Sequence, residues 1–296
     1  MSLSRRAFLQ AAQASAVTLG LGAGFRPTFA AEPARPRLKK AVKFGMVQTD
    51  GSIEDKFALL KELGFEGVEL DSPSDVDRDA AVAARDKTGI DIHGVVDSIH
   101  WNVRLSDPDP AVRAKGLEGL QTAIEDCHFY GGTTALLVPG KVADSAHENF
   151  DQVWERSTAE VRKALPLAEA KNVKIAIEVV WNDFLTTPEQ LVKYVDQFDS
   201  PFVGAYYDCS NMLKYGVSSA DWIRALGKRM LKFDFKGYSH DKKWVAIGAG
   251  DENWPEVLKA LDEVGYEGWA TAEVGGGGRD VLQDIAERMN RVLGLG

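Results

Sequence analysis

The chain has 296 residues, of which 45% are hydrophobic and 27% charged, and seven are tryptophan. This composition can form a large core and excludes disorder along the whole chain. The formal net charge is −9, and no basic stripe marks the body of the sequence, which argues against a nucleic-acid or anionic-membrane surface. Two cysteines, Cys127 and Cys209, are too few for a disulfide framework or a cysteine zinc site. We therefore expect a folded soluble protein.

The N-terminal segment has the pattern of an export signal. Arg5 and Arg6 precede a weakly apolar run at 11–25, and small residues end the segment at Ala30 and Ala31. This pattern resembles a twin-arginine signal and predicts a periplasmic or otherwise exported protein. The run is too short for a stable membrane anchor. A basic amphipathic helix is the alternative, which the glycines in the run weaken. We assign residues 1–31 to the signal, 32–40 to a tether and 41–296 to the folded domain.

Strand-like and helical patterns alternate eight times in the rest of the chain. Strands are predicted at 42–48, 67–70, 90–96, 134–138, 173–179, 202–207, 230–235 and 268–274, and helices at 53–63, 76–87, 111–130, 150–171, 188–198, 220–227, 254–264 and 279–293. Gly64, Gly89, Gly131 and Gly265 stand where C-capping glycines belong. Units of about 33 residues predict one (β/α)8 TIM barrel. An open doubly wound sheet is the alternative, but no glycine-rich dinucleotide motif follows the first strand.

The alternation of side chains along the predicted strands directs several carboxylates into the barrel. Glu178 shares a strand face with the small Ala176, whereas the intervening isoleucine faces the helices. The same alternation turns Asp208, Asp234 and Glu273 inward near the ends of the next three strands. Catalytic groups in such barrels gather at the C-terminal mouth, so we expect these four carboxylates to converge there.

Four converging carboxylates repel one another unless a cation lies between them. An oxygen-only ligand set suits Mg²⁺ or Mn²⁺ better than Zn²⁺. The sequence therefore predicts one divalent metal held by Glu178, Asp208, Asp234 and Glu273. The alternative is that Lys232, Lys236 or hydroxyl groups neutralise these carboxylates without a metal.

Long motifs carry a resemblance to a known family. Residues 177–188, IEVVWNDFLTTP, resemble the IENVWNxFLxSP stretch of the xylose isomerase-like sugar isomerases and epimerases, which include hexulose-6-phosphate isomerases and L-xylulose-5-phosphate 3-epimerases. Further similar stretches follow the family order at 100–109, 137–142, 207–211, 222–229 and 265–269. The resemblance spans roughly residues 44–293 and implies a TIM barrel with one divalent metal, commonly Mn²⁺, with Mg²⁺ or Co²⁺ as alternatives.

The implied metal ligands are carried over with one exception. The glutamate, aspartate and final glutamate of the family correspond to Glu178, Asp208 and Glu273. Where the family has His-x-Lys-Asp, this chain has Asp234-Phe235-Lys236-Gly237, which replaces the histidine by aspartate. His240 is the other candidate, either reaching the site from its loop or remaining a solvated loop residue.

The predicted chemistry is proton transfer next to a sugar carbonyl, through an enediolate that the metal stabilises. Glu178 and Glu273 are the predicted catalytic pair, one removing the proton and the other returning it. Return to the opposite face of the same carbon gives epimerisation, and return to the adjacent carbon gives isomerisation. Which glutamate is the base stays open.

Residues around the predicted mouth suit a sugar. Aromatic stacking is expected from Trp101 and Trp181, and polar contacts are expected from Glu69, His100, Asn182, Asn211, Lys236 and His240. For Trp244, packing beneath or between helices is expected. The glycine run at 275–278 suits either phosphate approach or a flexible loop.

Predicted export favours an unphosphorylated substrate, because sugar phosphates are cytoplasmic intermediates. The leading hypothesis is a metal-dependent isomerase or epimerase acting on a free sugar. A 3-keto-glycoside lyase or hydrolase with the same metal site is a second, and a non-catalytic sugar-binding barrel is a third. The expected partner is a small sugar or glycoside, and a homo-oligomer is left open.

Overall fold

The computed structural model describes residues 38–295, which belong to one compact unit. The predicted signal at 1–31 and residues 32–37 of the predicted tether lie outside the described residues. Eight parallel strands close into a barrel, which confirms the predicted (β/α)8 fold.

The strands are β1 (Leu38–Lys43), β2 (Gly67–Ser72), β3 (Asp91–Asp97), β4 (Thr134–Leu137), β5 (Lys174–Glu178), β6 (Val203–Asp208), β7 (Met230–Phe235), β8 (Tyr238–Ser239), β9 (Lys243–Trp244) and β10 (Gly268–Ala272). The barrel order is β1-β10-β7-β6-β5-β4-β3-β2, and β8 and β9 form a separate antiparallel hairpin. Because this hairpin follows β7, it lies at the end of the barrel where the strands finish.

The helices are α1 (Ile53–Glu62), α2 (Arg78–Thr88), α3 (Pro110–Tyr130), α4 (Phe150–Lys171), α5 (Pro188–Asp196), α6 (Cys209–Met212), α7 (Ser219–Leu226), α8 (Trp254–Val264) and α9 (Arg279–Leu293). Local sequence sets their ends. Ser52, Asn149 and Thr187 each form a capping box at a helix start, and Gly89, Gly131 and Gly265 end their helices in the left-handed conformation. Among the described helices, none has the length and hydropathy needed to cross a membrane.

Side chains alternate along the strands between two buried regions, the layer between the strands and the helices and the inside of the barrel. Apolar residues such as Ile175, Ile177 and Phe233 face the helices and form the main core. Inside the barrel, the hydroxyl of Tyr206 donates to Glu69 and contacts Thr271, each at 3.2 Å. Contacts across the barrel axis therefore confirm the predicted alternation, and the barrel interior holds polar side chains beside a small apolar cluster.

The first strand differs from the prediction. It covers Leu38–Lys43, so residues 38–40 belong to the barrel rather than to the tether, and Phe44–Met46 is a short 3-10 helix. Leu38 pairs with Gly268 of β10, and the buried Lys40 places its ammonium over the ring of Phe65 at 5.5 Å. The sequence around Lys39 and Lys40 was interpreted as a tether because the aromatic residues that these lysines contact, Trp269 and Phe65, are distant in the sequence.

Candidate active site

Three carboxylates meet at the C-terminal mouth of the barrel. Glu178 ends β5, Asp208 ends β6 and Glu273 directly follows β10. One carboxylate oxygen from each lies within 4.8 Å of the others. We call Glu178, Asp208 and Glu273 the acidic group. The parallel strands bring these residues together because all of their carboxyl ends open at the same mouth.

The turn after β6 fixes two members of the acidic group. Asp208 Oδ1 accepts hydrogen bonds from the backbone N–H groups of Ser210 and Asn211 at 2.7 and 2.9 Å, and so caps α6. The side-chain amide of Asn211 donates to Glu178 Oε1 at 3.2 Å. Asn211 therefore orients Glu178, and the second oxygen of Asp208 is left to face the mouth.

Lys236 joins the acidic group from the residue after β7. Its Nζ donates to Asp208 Oδ2 at 2.6 Å and to Glu273 Oε2 at 2.7 Å. Burial alone would lower the pKa of Lys236, but the attraction of Asp208 and then Glu273 raises it. Lys236 is therefore a permanent cation at the mouth.

The two glutamates differ in proton affinity. Burial, and next the repulsion from Glu273, raises the pKa of Glu178 well above its usual range. Burial also opposes ionisation of Glu273, but Lys236 and Lys43 outweigh it and lower the pKa of Glu273. Pairs of acidic groups whose pKa values are pushed apart are typical of acid–base sites.

Asp234, the predicted fourth ligand, has a different partner. The acidic group found among the described residues does not include it, and its Oδ2 lies 2.9 Å from Lys43 Nζ in an ion pair. Lys43 also contacts Glu69, which accepts a hydrogen bond from Tyr206 and is 1% exposed. Asp234 is therefore paired with Lys43 instead of joining the acidic group, and its role as a fourth metal ligand stays a prediction. Glu69, predicted to contact substrate, lies in the same buried network.

Lys43 is the residue that the sequence analysis missed. Lys43 is the last residue of β1, a position from which a side chain can reach the mouth of the barrel. The strand predicted at 42–48 placed Lys43 near the start of the strand instead. Burial alone would lower the pKa of Lys43, but Asp234 and then Glu69 raise it well above the usual range. A second buried cation therefore stands beside the acidic group.

A cavity of about 530 Å³ opens beside the acidic group, and we call it the mouth cavity. Its walls include Lys43, Asp71, Asp97, His100, Trp101, Glu178, Glu273 and Gly275. His100 Nδ1 accepts a hydrogen bond from the backbone N–H of Val138 at 3.4 Å, and its buried Nε2 has no partner among the described residues. Burial, and next Lys43, lowers the pKa of His100 to about 3. His100 is therefore a neutral donor, and the half-exposed Trp101 lies against it.

Three other residues predicted to contact substrate are used elsewhere. Trp181 donates its N–H to the carbonyl of Asn211 at 2.6 Å, and one ring face stacks on Trp244. Asn182 donates to Gly140 O at 2.6 Å and accepts from Phe184 N, which fixes the loop after β5. His240 is exposed on the hairpin and pairs with Asp251 at 2.7 Å. Hydrogen-bonding atoms of these three residues are thus already paired within the protein, and their contact with substrate stays a prediction.

The glycine run after β10 is part of the wall. Gly277 exchanges backbone hydrogen bonds with the loop after β1, donating to Met46 O and accepting from Gln48 N, both at 3.0 Å. A Cβ at Gly276 would lie 2.2 Å from Met46 O. The run therefore ties the two loops together. Arg279, the basic residue next to it, pairs with Glu62 at 2.6 Å instead of facing the cavity.

The residues at the mouth fit a divalent cation. Glu69, Glu178, Asp208, Asp234 and Glu273 lie close together and face two ammonium groups, those of Lys43 and Lys236. When all are ionised, this cluster keeps an excess of negative charge. Carboxylate oxygens are hard donors of the kind that Mg²⁺ and Mn²⁺ prefer. Glu178, Asp208 and Glu273 would hold the ion, and Lys236 would have to release two of these carboxylates.

Comparison with known proteins defines the class. The sequence profile of the xylose isomerase-like TIM barrel matches residues 57–292. This chain therefore belongs to the xylose isomerase-like TIM barrel family.

Its relatives include sugar epimerases. The D-psicose 3-epimerase of Ruminiclostridium cellulolyticum is 28% identical over 180 residues, which cover 57% of this chain and 58% of that enzyme. This chain thus spans less than two thirds of that relative. The L-ribulose 3-epimerase of Mesorhizobium japonicum is 25% identical over 223 residues, 72% of each chain. The solved apo structure of 3-keto-D-glucoside 4-epimerase YcjR from E. coli shares the fold, with a TM-score of 0.74 at 15% identity over 86% of this chain and 99% of that one.

Proposed function

We propose that this protein is a divalent-metal-dependent sugar isomerase or epimerase that moves a proton on a carbon next to a sugar carbonyl. The observation that carries the proposal is the meeting of Glu178, Asp208 and Glu273 beside the mouth cavity. The epimerase relatives support the same class of reaction. Mn²⁺ is the first candidate for the metal, with Mg²⁺ and Co²⁺ as alternatives.

When bound, the cation would supply positive charge that polarises the carbonyl and stabilises the negative charge developing on its oxygen. Glu178 and Glu273 come from strands that two others separate in the barrel order. Their carboxylates can therefore approach a substrate from different sides. One accepts the proton from carbon and the other returns a proton, to the opposite face for epimerisation or to the adjacent carbon for isomerisation.

The other wall residues bind and orient the sugar. His100 Nε2 donates to a sugar oxygen, since its other nitrogen already accepts a backbone hydrogen bond. Trp101 offers an exposed ring for stacking on the apolar face of the sugar. Asn211 acts as a positioning residue, because its amide holds Glu178.

We also propose that the substrate carries no phosphate. Among the described residues, the mouth cavity is lined by one lysine, Lys43, and by no arginine. Lys43 already pairs with Glu69 and Asp234. Burial and Lys43 keep His100 neutral by lowering its pKa to about 3. A phosphate dianion would therefore meet no unpaired positive charge on the described wall. The proposed export of the chain is consistent with an unphosphorylated sugar.

The experiment is product analysis by NMR with D-psicose, L-ribulose and methyl 3-keto-β-D-glucoside as separate substrates. With Mn²⁺ we expect one of them to give an epimer or isomer, EDTA to abolish the reaction and added Mn²⁺ to restore it. Release of methanol from the glycoside would instead indicate the lyase or hydrolase reaction. Conversion that is equally fast in EDTA, or no conversion of any substrate, would contradict the proposal.

A further inference from the structure

A second cavity adjoins the mouth cavity. It has a volume of about 670 Å³ and lies between the β8–β9 hairpin, the segment after it and α9. We call it the side cavity. Both cavities are lined by Glu273, Val274 and Gly275. The two cavities therefore adjoin at the segment that follows β10.

The side cavity has an apolar wall. Its apolar side chains are Trp244, Val245, Ala246, Ile247, Val281 and Ile285. Trp244 is 48% exposed although one face of its ring stacks on Trp181 with centroids 4.8 Å apart. Val281 is 43% exposed across the cavity. Trp244 thus packs against Trp181 on one side, while about half of its surface stays exposed. This exposed surface suits a flat apolar group.

The charged side chains of this wall are already neutralised. Lys236 pairs with Glu273 at 2.7 Å, and Arg288 pairs with Asp284 at 2.6 Å. Arg288 also donates to the carbonyl of Ile247 at 3.3 Å. The described wall therefore offers apolar contact area without an unpaired charge, so a neutral ligand group fits it best.

We propose that the side cavity binds the aglycone of a glycoside substrate, with the sugar ring in the mouth cavity and an aromatic or other apolar aglycone against Trp244. This inference rests on the proposed function and narrows its substrate to a keto-glycoside. The three wall residues that the two cavities share, Glu273, Val274 and Gly275, support it, and so does the open space around Gly275. A single hexose would leave the apolar wall of the side cavity uncovered.

Gly275 marks the passage between the cavities. A Cβ built at this position has no neighbouring atom within 4 Å, so a side chain there would project into open space without straining the fold. Gly275→Leu would place apolar bulk where the linkage to the aglycone must pass. The substitution therefore tests the connection between the cavities.

The experiment measures, by calorimetry with Mn²⁺ and the full chain, the dissociation constants of methyl and phenyl 3-keto-β-D-glucoside. We expect the phenyl glycoside to bind at least about tenfold more tightly, because its ring loses contact with water. Trp244→Ala and Gly275→Leu should each reduce this preference by about fivefold or more. Trp101→Ala is the matched control, because Trp101 is similarly exposed but lines only the mouth cavity. It should weaken both ligands and leave their ratio intact.

Equal affinity of the two glycosides for the unaltered protein would overturn the aglycone site while leaving the proposed function in place. A preference that Trp101→Ala reduces as much as Trp244→Ala would also overturn it. Binding of neither glycoside would also overturn the aglycone site, whereas the proposed function is tested separately by the conversion of D-psicose and L-ribulose.

Discussion

Lys43 and Lys236 each contact two carboxylates, so four acidic side chains at the mouth are paired with two ammonium groups. Glu178 is the member whose hydrogen bond comes from a neutral amide, that of Asn211. Buried charges persist in proteins when they are paired and hydrogen-bonded. Glu178 therefore differs from Asp208 and Glu273, because no ammonium group pairs with it among the described residues and its pKa is raised.

The first residue-scale prediction concerns the two glutamates. Glu178→Gln and Glu273→Gln keep an oxygen that can bind a metal but remove the group that carries the proton. Each substitution should lower turnover by about 10²-fold or more, with a much smaller effect on sugar binding. Steady-state kinetics should be combined with elemental analysis of bound metal at saturating Mn²⁺. Full turnover by both metal-loaded variants would contradict the two-glutamate mechanism.

The second residue-scale prediction concerns Asp97 in the wall of the mouth cavity. Burial raises the pKa of Asp97 to about 7, although a hydrogen bond from Ile99 N–H partly offsets this effect. Because the folded-state pKa is raised, the stabilisation of the neutral acid is complete below the unfolded pKa near 3.8 and is lost as the pH rises through 7.

Asp97→Asn should remove this pH dependence. Between pH 4 and pH 8, the free energy of unfolding of the unaltered protein should fall relative to that of the variant by up to roughly 4 kcal/mol. Urea unfolding at several pH values provides the measurement. Parallel stability profiles for the two proteins would show that Asp97 ionises normally.

At the scale of elements, the wall of the mouth cavity depends on the pairing of the loops after β1 and β10. Gly276 lies where the two backbones approach each other, and Gly277 exchanges the hydrogen bonds. Gly276→Ala should force the loops apart and lower the free energy of unfolding by roughly 1–3 kcal/mol. Gly275→Ala is the control, because a Cβ there meets open space. Chemical denaturation of both variants tests this, and equal stabilities would refute the steric argument.

The sequence was most informative where local chemistry decides the structure. The bounds of α4, α8 and α9 agree with the predicted ranges, since capping residues and glycines mark most of these ends. Strand alternation also placed Glu178, Asp208 and Glu273 at one mouth. Asp234 also points into the barrel as predicted, but its pairing with Lys43 was not predicted, because Lys43 comes from the opposite end of the chain. Such long-range pairing leaves no local pattern.

In the molecule as a whole, polar side chains inside the barrel contact one another beneath the candidate active site. His93 stacks on Trp269 and contacts Lys232, well below the acidic group. Burial, and next Lys232, lowers the pKa of His93 well below its usual range, so this histidine stays neutral. The barrel thus positions charged side chains at the mouth while its outer face packs against the helices.

We also predict that the exported form lacks about the first 31 residues, because paired arginines, an apolar run and small residues precede the barrel. Mass spectrometry of the protein recovered from outside the cytoplasm of its native host tests this. An intact N-terminus on that external form would contradict the proposed signal. Protein overproduced in the cytoplasm is the control and should keep the segment.

We propose that the acidic group exchanges a proton on a carbon beside a sugar carbonyl with the help of a divalent metal. The most direct test is solvent deuterium incorporation, followed by NMR in D2O, into D-psicose, L-ribulose and methyl 3-keto-β-D-glucoside. We expect metal-dependent incorporation at one carbon next to the carbonyl of at least one sugar, and its loss in the Glu178→Gln, Glu273→Gln double variant. Incorporation that is no faster than without protein, or that persists unchanged in the double variant, would contradict it.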